Sequence, residues 1–397
     1  MPSRLKNWLQ AYFMIEDWRQ GGFGIYIHWP FCQSKCPYCD FNSHVVSDVD
    51  FHQWEQAFIA EISRYASQVP DRIINSVFFG GGTPSLMPPA LVKSILTAIS
   101  NGWNLSNNAE ITLEANPTSF EINKFRGFFD AGVNRVSIGV QALNDIDLVA
   151  LGRLHSVKEA YYAVEKAQEI FERVSFDLIY ARQHQTFGGW QAELSQALAL
   201  GTDHLSLYQL TIEDGTAFGR RHAAGRLKGL PSDELSADLY AMTQVLTRAA
   251  GLPNYEISNH ARPGSESRHN LLYWNCGDYV GVGPGAHGRL TFSDQRFATE
   301  TALMPADWLS NALSGDGESI RARLSTTEET EERLMMGLRL SEGVAIDRLG
   351  TLSQSPSFSI KINGLGNMGL LWMKGGRIGV SSSGRIILNA ILRELLA

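Results

Sequence analysis

A regular alternation of β-rich and helical segments runs through the first two thirds of the chain and constrains its fold more than any other feature. Alternation of this kind predicts a parallel sheet whose strands are joined by right-handed helical crossovers. The β-rich runs are Gly24–His28, Ser76–Phe79, Glu110–Glu114, Arg135–Gly139, Ser175–Tyr180 and His204–Gln209. The stretches with helical periodicity are Phe51–Tyr65, Pro89–Ser100, Phe120–Ala131, Val157–Phe171, Trp190–Leu200 and Asp233–Ala250.

Six strand–helix units are too few to close an eight-stranded barrel, so we predict an α/β fold built on a partial (β/α)6 barrel. A doubly wound open sheet is the alternative. In both architectures ligands gather at the carboxyl ends of the parallel strands. We therefore expect the functional residues where these strands end.

The pattern changes twice towards the C-terminus, and it divides the chain into four parts. We predict a short helical N-terminal extension (residues 1–20), the barrel (21–257), a functional loop region or irregular extension of the sheet (258–300) and a small C-terminal domain (301–397). In the last part, Thr326–Leu340 and Val344–Leu352 are predicted helices, and a hairpin is expected around Lys374-Gly375-Gly376. Helices followed by a hairpin predict a winged-helix-like α+β domain.

Composition narrows the class of protein and its compartment. The formal net charge is -7 and no run of basic residues occurs, which argues against nucleic acid as a main partner. No apolar stretch is long enough to span a membrane, and the first twenty residues lack the layout of a signal peptide. Because three of the four cysteines fall within eight residues, a metal site in a reducing compartment is favoured over a disulfide scaffold, and we expect a cytoplasmic protein.

The three clustered cysteines, Cys32, Cys36 and Cys39, have the spacing C-x3-C-x2-C directly after the first predicted strand. A cubane iron–sulfur cluster takes a thiolate on each iron, so three cysteines cover three irons and leave the fourth open. An open iron can chelate the amino and carboxylate groups of S-adenosylmethionine. The competing interpretation is structural zinc, which needs a fourth ligand such as His28 or His44.

This segment resembles the radical S-adenosylmethionine superfamily, in particular the branch that contains oxygen-independent coproporphyrinogen III oxidase and the heme chaperones. The resemblance covers nearly the whole chain, including the C-terminal domain. It implies a [4Fe-4S] cluster on Cys32, Cys36 and Cys39, with S-adenosylmethionine on the remaining iron.

The resemblance also assigns residues at the other strand ends to S-adenosylmethionine. The run Gly80-Gly81-Gly82 is similar to the family loop that holds the amino group of this ligand, although it is also typical of a tight turn. A carboxylate inside an apolar strand, as at Asp177, needs a partner or a ligand. Whether one or two molecules bind is left open. The positions implied are Tyr26, Tyr38, Gly81, Gly82, Thr83, Glu114, Gln141, Arg153 and Asp177.

One segment departs from the family pattern. After Asp177-Leu-Ile-Tyr180 the family usually continues with a turn that contains Pro-Gly-Gln-Thr, whereas this chain reads Ala181-Arg-Gln-His184-Gln-Thr186. The change removes a proline with a preset φ and a permissive glycine. The geometry of this loop is therefore a question for the structure.

Three features distinguish the oxidase from the heme chaperones. The oxidase carries a fourth cysteine where this chain has Phe41, and it has a longer segment before the first strand. In addition, the run His269-Asn-Leu-Leu-Tyr273-Trp274 resembles the HNxxYW motif of the chaperone branch. An imidazole can bind heme iron, so His269 is the first candidate ligand and His287 the second. The structural alternative is a surface turn with Tyr273 and Trp274 packed inside.

The sequence thus supports two hypotheses. The first is a heme chaperone that binds heme, an iron–sulfur cluster and S-adenosylmethionine, without coproporphyrinogen III oxidase activity. Its partners would be heme and heme-accepting proteins, such as membrane-associated respiratory enzymes, and the protein would act alone or as a homodimer. The second is a radical enzyme of the oxidase type that acts on a tetrapyrrole.

Overall fold

A computed structural model describes residues 18–46 and 48–397 of the protein. The N-terminal extension expected at residues 1–20 therefore lies outside the described residues, except for the helical turn α1 (Trp18–Gly21).

All six β-rich runs are parallel neighbours in one sheet, which confirms the partial (β/α)6 barrel. The strands are β1 (Phe23–Trp29), β4 (Ile73–Gly81), β5 (Asn104–Ala115), β6 (Arg135–Gln141), β7 (Arg173–Tyr180) and β8 (His204–Gln209). Two short strands, β2 (Phe31–Cys32) and β3 (His44–Val45), pair with each other beside the first cysteine. The helices between the strands are α2 (Phe51–Gln68), α3 (Pro89–Gly102), α4 (Ser119–Ile122), α5 (Phe125–Ala131), α6 (Asp145–Ala150), α7 (Val157–Ile170), α8 (Phe187–Ala199), α9 (Ala217–Ala223) and α10 (Asp233–Ala249).

The two faces of this sheet have different side chains, because residues along a strand point alternately to opposite faces. One face is aliphatic and aromatic, and it packs with the surrounding helices in the main hydrophobic core. The other face lines the inside of the barrel and carries mostly small, polar or charged residues. Outer positions include Ile27, Phe79, Leu113, Ile138 and Phe176; inner positions include Ser76, Glu114, Ser137, Asp177 and Ser206.

Residues 258–300, where either a functional loop region or an irregular extension of the sheet is expected, extend the sheet on both edges. Its glycines predict a loop by composition, yet several serve close strand packing: a Cβ at Gly281 would lie 2.1 Å from the carbonyl oxygen of His287. The added elements are β9 (Asn259–Ala261) beside β8, helix α11 (Arg268–Trp274), β10 (Asp278–Val282) parallel to β1, and the antiparallel strands β11 (His287–Phe292), β12 (Gln295–Thr301) and β13 (Glu318–Arg323). Helix α12 (Pro305–Leu313) precedes β13.

A second hydrophobic core begins at Leu334 and belongs to a small winged-helix-like unit. It consists of α13 (Thr326–Gly337), β14 (Val344–Ala345), α14 (Pro356–Asn367), the hairpin β15 (Leu371–Lys374) and β16 (Arg377–Val380), α15 (Ser382–Arg385) and α16 (Leu388–Leu396). The helix predicted at Val344–Leu352 is instead β14 followed by 3-10 turns (Ile346–Gln354) that break at Gly350, where φ is 47°. Since β13 still belongs to the large sheet, the two cores favour a division between residues 323 and 326 rather than at 301.

Candidate metal and ligand site at the carboxyl ends of the strands

The three clustered cysteines lie at the carboxyl end of β1, in the loop that starts at β2 and returns through β3. The N–H of Cys39 donates to the carbonyl of Cys36 (3.2 Å), and the N–H of His44 donates to the carbonyl of Pro30 (2.7 Å). None of the three is in a disulfide, and all three line one cavity. Each cysteine of a cubane cluster binds a different iron, so three thiols around a common cavity fit such a cluster.

Two side chains from other loops at this end of the barrel hold the cysteine sulfurs. The hydroxyl of Thr83 donates to Sγ of Cys32 (3.4 Å), and the guanidinium of Arg153 donates to Sγ of Cys36 (3.3 Å) and to the carbonyl of Gly139 (2.9 Å). Burial raises the pKa of Cys32 and of Cys39, so these thiols need a positive partner, such as iron, to become thiolates.

Eight of the nine positions assigned to S-adenosylmethionine line the same cavity as the cysteines. Tyr26 is the exception: its side chain lies lower in the barrel, stacks on Phe78 (6.4 Å between ring centroids) and donates its hydroxyl to Nδ1 of His28 (3.0 Å). The role of the eight as ligand contacts remains a prediction. They are Tyr38, Gly81, Gly82, Thr83, Glu114, Gln141, Arg153 and Asp177.

Two carboxylates, Glu114 and Asp177, line the cavity and act on each other electrostatically. Burial, and then the charge of Asp177, raise the pKa of Glu114 to about 8. Burial also raises the pKa of Asp177 to about 6, although Ser137 donates a hydrogen bond to its carboxylate (3.3 Å). Groups that donate hydrogen bonds, such as ribose hydroxyls or an ammonium, would stabilise both carboxylates in their charged form.

Two polar atoms at the cavity are buried and lack a hydrogen-bond partner among the residues that the structure describes: Oε1 of Gln141 and Nε of Arg153. Gln141 also has a φ of 69°, an uncommon backbone conformation for a residue other than glycine. Buried polar groups are normally paired, so these atoms indicate a bound polar molecule. A molecule with the donors and acceptors of S-adenosylmethionine fits this cavity chemically.

The glycine run after β4 is explained by close contacts with β1 rather than by free backbone donors. A Cβ at Gly81, where φ is 106°, would lie 2.6 Å from the ring of His28. The N–H of Gly82 donates to the carbonyl of Trp29 (2.7 Å), and the N–H of Thr83 donates to that of Phe31 (2.9 Å). The turn therefore fixes the distance between β4 and the cysteine loop.

His269 lies at the opposite end of the barrel from the cysteines. It belongs to α11, which is capped by Ser267 and packs against the amino-terminal half of the strands. Its Nδ1 is hydrogen-bonded to Oγ of Ser76 (2.9 Å), its Nε2 to Oη of Tyr273 (2.8 Å), and the residue is only 2% exposed. Burial, and then the charge of Arg135, lower its pKa to about 3. Both ring nitrogens are occupied, so an iron ligand at His269 does not fit this structure.

Two asparagines complete the site and were not singled out from the sequence. Nδ2 of Asn116 donates to Oγ1 of Thr83 (3.3 Å), and its Oδ1 accepts from Arg153. Nδ2 of Asn42 donates to the carbonyls of Pro284 (2.9 Å) and Leu303 (2.8 Å). Asn116 directly follows the strand end at Ala115, and this position alone makes it a candidate site residue. The partners of Asn42 are distant in the sequence, so no local pattern predicts its role.

Comparisons with known proteins agree with this fold. The family described as the radical SAM superfamily matches residues 26–190. The solved structure of Escherichia coli coproporphyrinogen III oxidase, HemN, superimposes with a TM-score of 0.79 over 94% of this chain and 90% of that one, at 20% identity, and so shows the fold. The fold and the cysteine loop thus define a radical S-adenosylmethionine protein.

Proteins that are more similar in sequence than this structure identify the family within the superfamily. The bovine mitochondrial radical S-adenosyl methionine domain-containing protein 1 is 38% identical over 94% of this chain and 87% of its own length. The heme chaperone HemW of Escherichia coli is 40% identical over 70% of this chain and 72% of its own. HemW of Mycobacterium tuberculosis is 34% identical over 94% of this chain and 95% of its own length. The chain therefore belongs to the HemW family of the radical S-adenosylmethionine superfamily.

Among the described residues, no helix has the length and hydropathy that a membrane crossing requires.

Proposed function

We propose that this protein is a heme chaperone that binds heme and passes it to acceptor proteins. It carries a [4Fe-4S] cluster on Cys32, Cys36 and Cys39 and S-adenosylmethionine at the adjacent strand ends. The observation that supports this most is the single cavity that is lined by all three thiols and by eight of the nine positions that the family resemblance assigns to S-adenosylmethionine. The name of the HemW relatives supplies the cargo.

The residues divide into those that hold the cluster and those that hold the ligand. Thr83 and Arg153 orient the sulfurs, while Glu114, Gln141 and Asp177 offer acceptors to the polar groups of S-adenosylmethionine. When bound, the cluster supplies an open iron that chelates the amino acid part of this molecule. The carboxylates bind its hydroxyl and ammonium groups, and their charged form is stabilised in return.

Anaerobic reconstitution with iron and sulfide tests the cluster. We expect about four irons per chain and an electron paramagnetic resonance signal of the reduced protein that changes when S-adenosylmethionine is added. The Cys36→Ala variant should lose most of the cluster, whereas the matched control Cys276→Ala, which removes the cysteine outside the cavity, should retain it. A reconstituted protein whose spectrum ignores S-adenosylmethionine contradicts this part of the proposal.

Titration with hemin, followed by absorbance, tests the cargo. We expect saturable binding and transfer of heme to an added apoprotein, for which apomyoglobin is a convenient probe before respiratory enzymes are tried. Size-exclusion chromatography with and without S-adenosylmethionine then decides whether a homodimer forms. If the wild-type protein shows no saturable binding, the chaperone role is wrong.

A second function, radical chemistry on a tetrapyrrole, is favoured by one specific observation. The carboxylates, Gln141 and Arg153 place several polar groups on the wall of the cavity, where they can orient a reacting ligand. An anaerobic assay with a reductant distinguishes the two functions. A radical enzyme forms methionine and 5′-deoxyadenosine and consumes coproporphyrinogen, whereas a chaperone without this activity leaves coproporphyrinogen unchanged.

A further inference from the structure

The proposed function requires a place for heme, and His269 has no nitrogen available for iron. The other buried histidines are also enclosed by the protein: His28, His155 and His204 each have a ring nitrogen hydrogen-bonded within the fold, and His260 is only 1% exposed. Imidazoles near the cysteine loop that are at least partly exposed are therefore the next candidates. Two of them, His44 and His287, act electrostatically on the same buried residue, His28, and so lie at the same edge of the barrel.

The two histidines belong to segments that Asn42 joins. Asn42 precedes His44 in the cysteine loop, and its amide donates to the carbonyls of Pro284 and Leu303. The first of these lies just before β11, which starts at His287, and the second just after β12, which pairs with it. The tip of the cysteine loop thus rests against the stem of the β11–β12 hairpin, and the two segments form one continuous rim.

This rim presents an unusual number of apolar side chains to solvent. Phe41, Val45, Leu303 and Met304 are each more than half exposed. Apolar side chains scattered singly need no explanation, whereas a contiguous group beside a functional cavity marks a binding surface. A flat apolar macrocycle is a suitable occupant, because it covers such side chains and leaves its acidic edge in water.

The two imidazoles differ in how well they can reach an iron. Nε2 of His44 is hydrogen-bonded to Oδ1 of Asn42 (3.0 Å), which leaves Nδ1, the nitrogen crowded by the side chain's own Cβ. In His287, Nδ1 faces the carboxylate of Glu300 (3.8 Å), and Nε2 has no hydrogen-bond partner among the described residues. The side chain of His287 is 61% exposed. A carboxylate behind the far nitrogen is the usual second partner of a metal-binding histidine.

A positive charge lies at the same place. Lys35, in the cysteine loop, donates to the carbonyl of Ser43 (3.1 Å) and is close enough to His44 to help lower its pKa, after burial. A lysine at the edge of an apolar surface complements the two propionates of heme.

We propose that heme docks on the rim formed by Phe41, His44, Val45, His287, Leu303 and Met304, with its iron bound by Nε2 of His287. This inference rests on the proposed heme-chaperone function and names the surface that performs it. It places the cargo next to the iron–sulfur site, at the carboxyl ends of the strands, and assigns the HNxxYW helix at the other end of the barrel a structural role.

Hemin titrations of four proteins test the inference: the wild type, His287→Ala, Leu303→Asn and the control His222→Ala, which changes an exposed histidine on α9. We expect His287→Ala to weaken binding at least tenfold and to shift the Soret maximum and the electron paramagnetic resonance signal of the ferric heme. Leu303→Asn should weaken binding several-fold, and His222→Ala should match the wild type. Circular dichroism checks that each variant is folded, as expected for exposed positions.

The outcomes separate the inference from the function on which it rests. Saturable wild-type binding with an unchanged affinity and spectrum in His287→Ala overturns the rim site alone and leaves the chaperone role intact. Absence of saturable binding by the wild type overturns the chaperone role itself.

Discussion

His269 shows how strongly the surroundings of a residue decide what its side chain can do. Its ring stacks on Phe78 (4.9 Å between centroids) and hydrogen-bonds Ser76 and Tyr273. The sequence distinguishes His269 only through its motif, since Ser76 is 193 positions away. A signal of this kind predicts that the residue matters, whereas the reason becomes visible only when distant strands are brought together.

We expect His269→Ala to lower the free energy of unfolding by about 2–4 kcal/mol, because it creates a cavity and leaves two buried hydroxyl groups without their partner. The folded pKa of about 3 lies below the ordinary value of 6.5, so the neutral ring contributes stability above pH 6.5, and this contribution is lost as the pH falls towards 3. Urea unfolding at pH 7 and pH 5 measures both effects. His222→Ala should change the free energy by less than about 0.5 kcal/mol; equal losses in the two variants would contradict the structural role.

Glu114 should give the opposite dependence on pH. Its folded pKa of about 8 lies above the ordinary value, so its contribution to stability is present below about pH 4.5 and is lost as the pH rises through 8. Asp177, with a pKa of about 6, acts in the same direction. In the ligand-free protein, Glu114→Gln should therefore reduce the fall of the unfolding midpoint between pH 5 and pH 8.

The matched control for Glu114→Gln is Glu165→Gln, which changes an exposed carboxylate on α7 and should leave the pH profile unaltered. Glu114→Gln should also weaken S-adenosylmethionine binding, which calorimetry can measure. A pH profile identical to that of the wild type would show that Glu114 is charged and solvated in the free protein.

The loop that departs from the family pattern keeps a strained backbone. Ala181 and His184 have φ values of 58° and 60°, a region that favours glycine. We expect His184→Gly to raise the free energy of unfolding by about 0.5–1 kcal/mol, because relief of the left-handed conformation exceeds the added freedom of the unfolded chain. Ala192→Gly, at an exposed position of α8, should lower it by about 1 kcal/mol. Thermal or urea unfolding of the two variants should give opposite signs.

At the level of elements, the six parallel strands could be predicted because the periodicity of a strand or helix is visible within a short run of consecutive residues. The helix that starts after Ser156 has a similarly local signal in its sequence, because the side chains of Ser156 and Glu159 form the reciprocal hydrogen bonds of a capping box. The strands after residue 258 were predicted only as one of two alternatives, because the run from 258 to 289 has little periodicity and many glycines between its strands. Their glycines are required by close strand contacts, as at Gly281, which no local pattern reveals.

Asn42 joins two elements that lie far apart in the sequence, and its loss should loosen the cysteine loop. We expect Asn42→Ala to lose its cluster several times faster than the wild type when a chelator is added, because the loop is no longer held to residues 284 and 303. Iron content over time measures this loss. The control Asn363→Ala changes an exposed asparagine on α14 and should behave as the wild type does; equal rates in all three proteins would show that Asn42 does not hold the loop.

At the scale of the whole molecule, the two ends of the barrel have different roles. The carboxyl ends of the strands contain the cysteines and the polar cavity, and the amino-terminal half is covered by α11. There, Glu110 accepts hydrogen bonds from the N–H of Arg268 (3.0 Å) and from Arg173 (2.9 Å). The cavity could be predicted from strand ends, since topology alone brings these residues together. The packing of α11 against the other end could not be predicted, because it depends on contacts between side chains that are distant in the sequence.

Along each strand of the partial barrel, the residues that stabilise the fold alternate with the residues that can contact a ligand, because the two sets point to opposite faces of the sheet. Apolar packing under the helices supplies most of the stability, so an exchange at an inner position that lines the cavity costs less in folding than one in the core, and it alters which ligand the cavity accepts. A few substitutions at cavity-lining positions can therefore change which ligand such a fold binds, while the apolar positions that face the helices stay the same. Related chains that serve different chemistry should therefore differ mainly at every second residue of these strands.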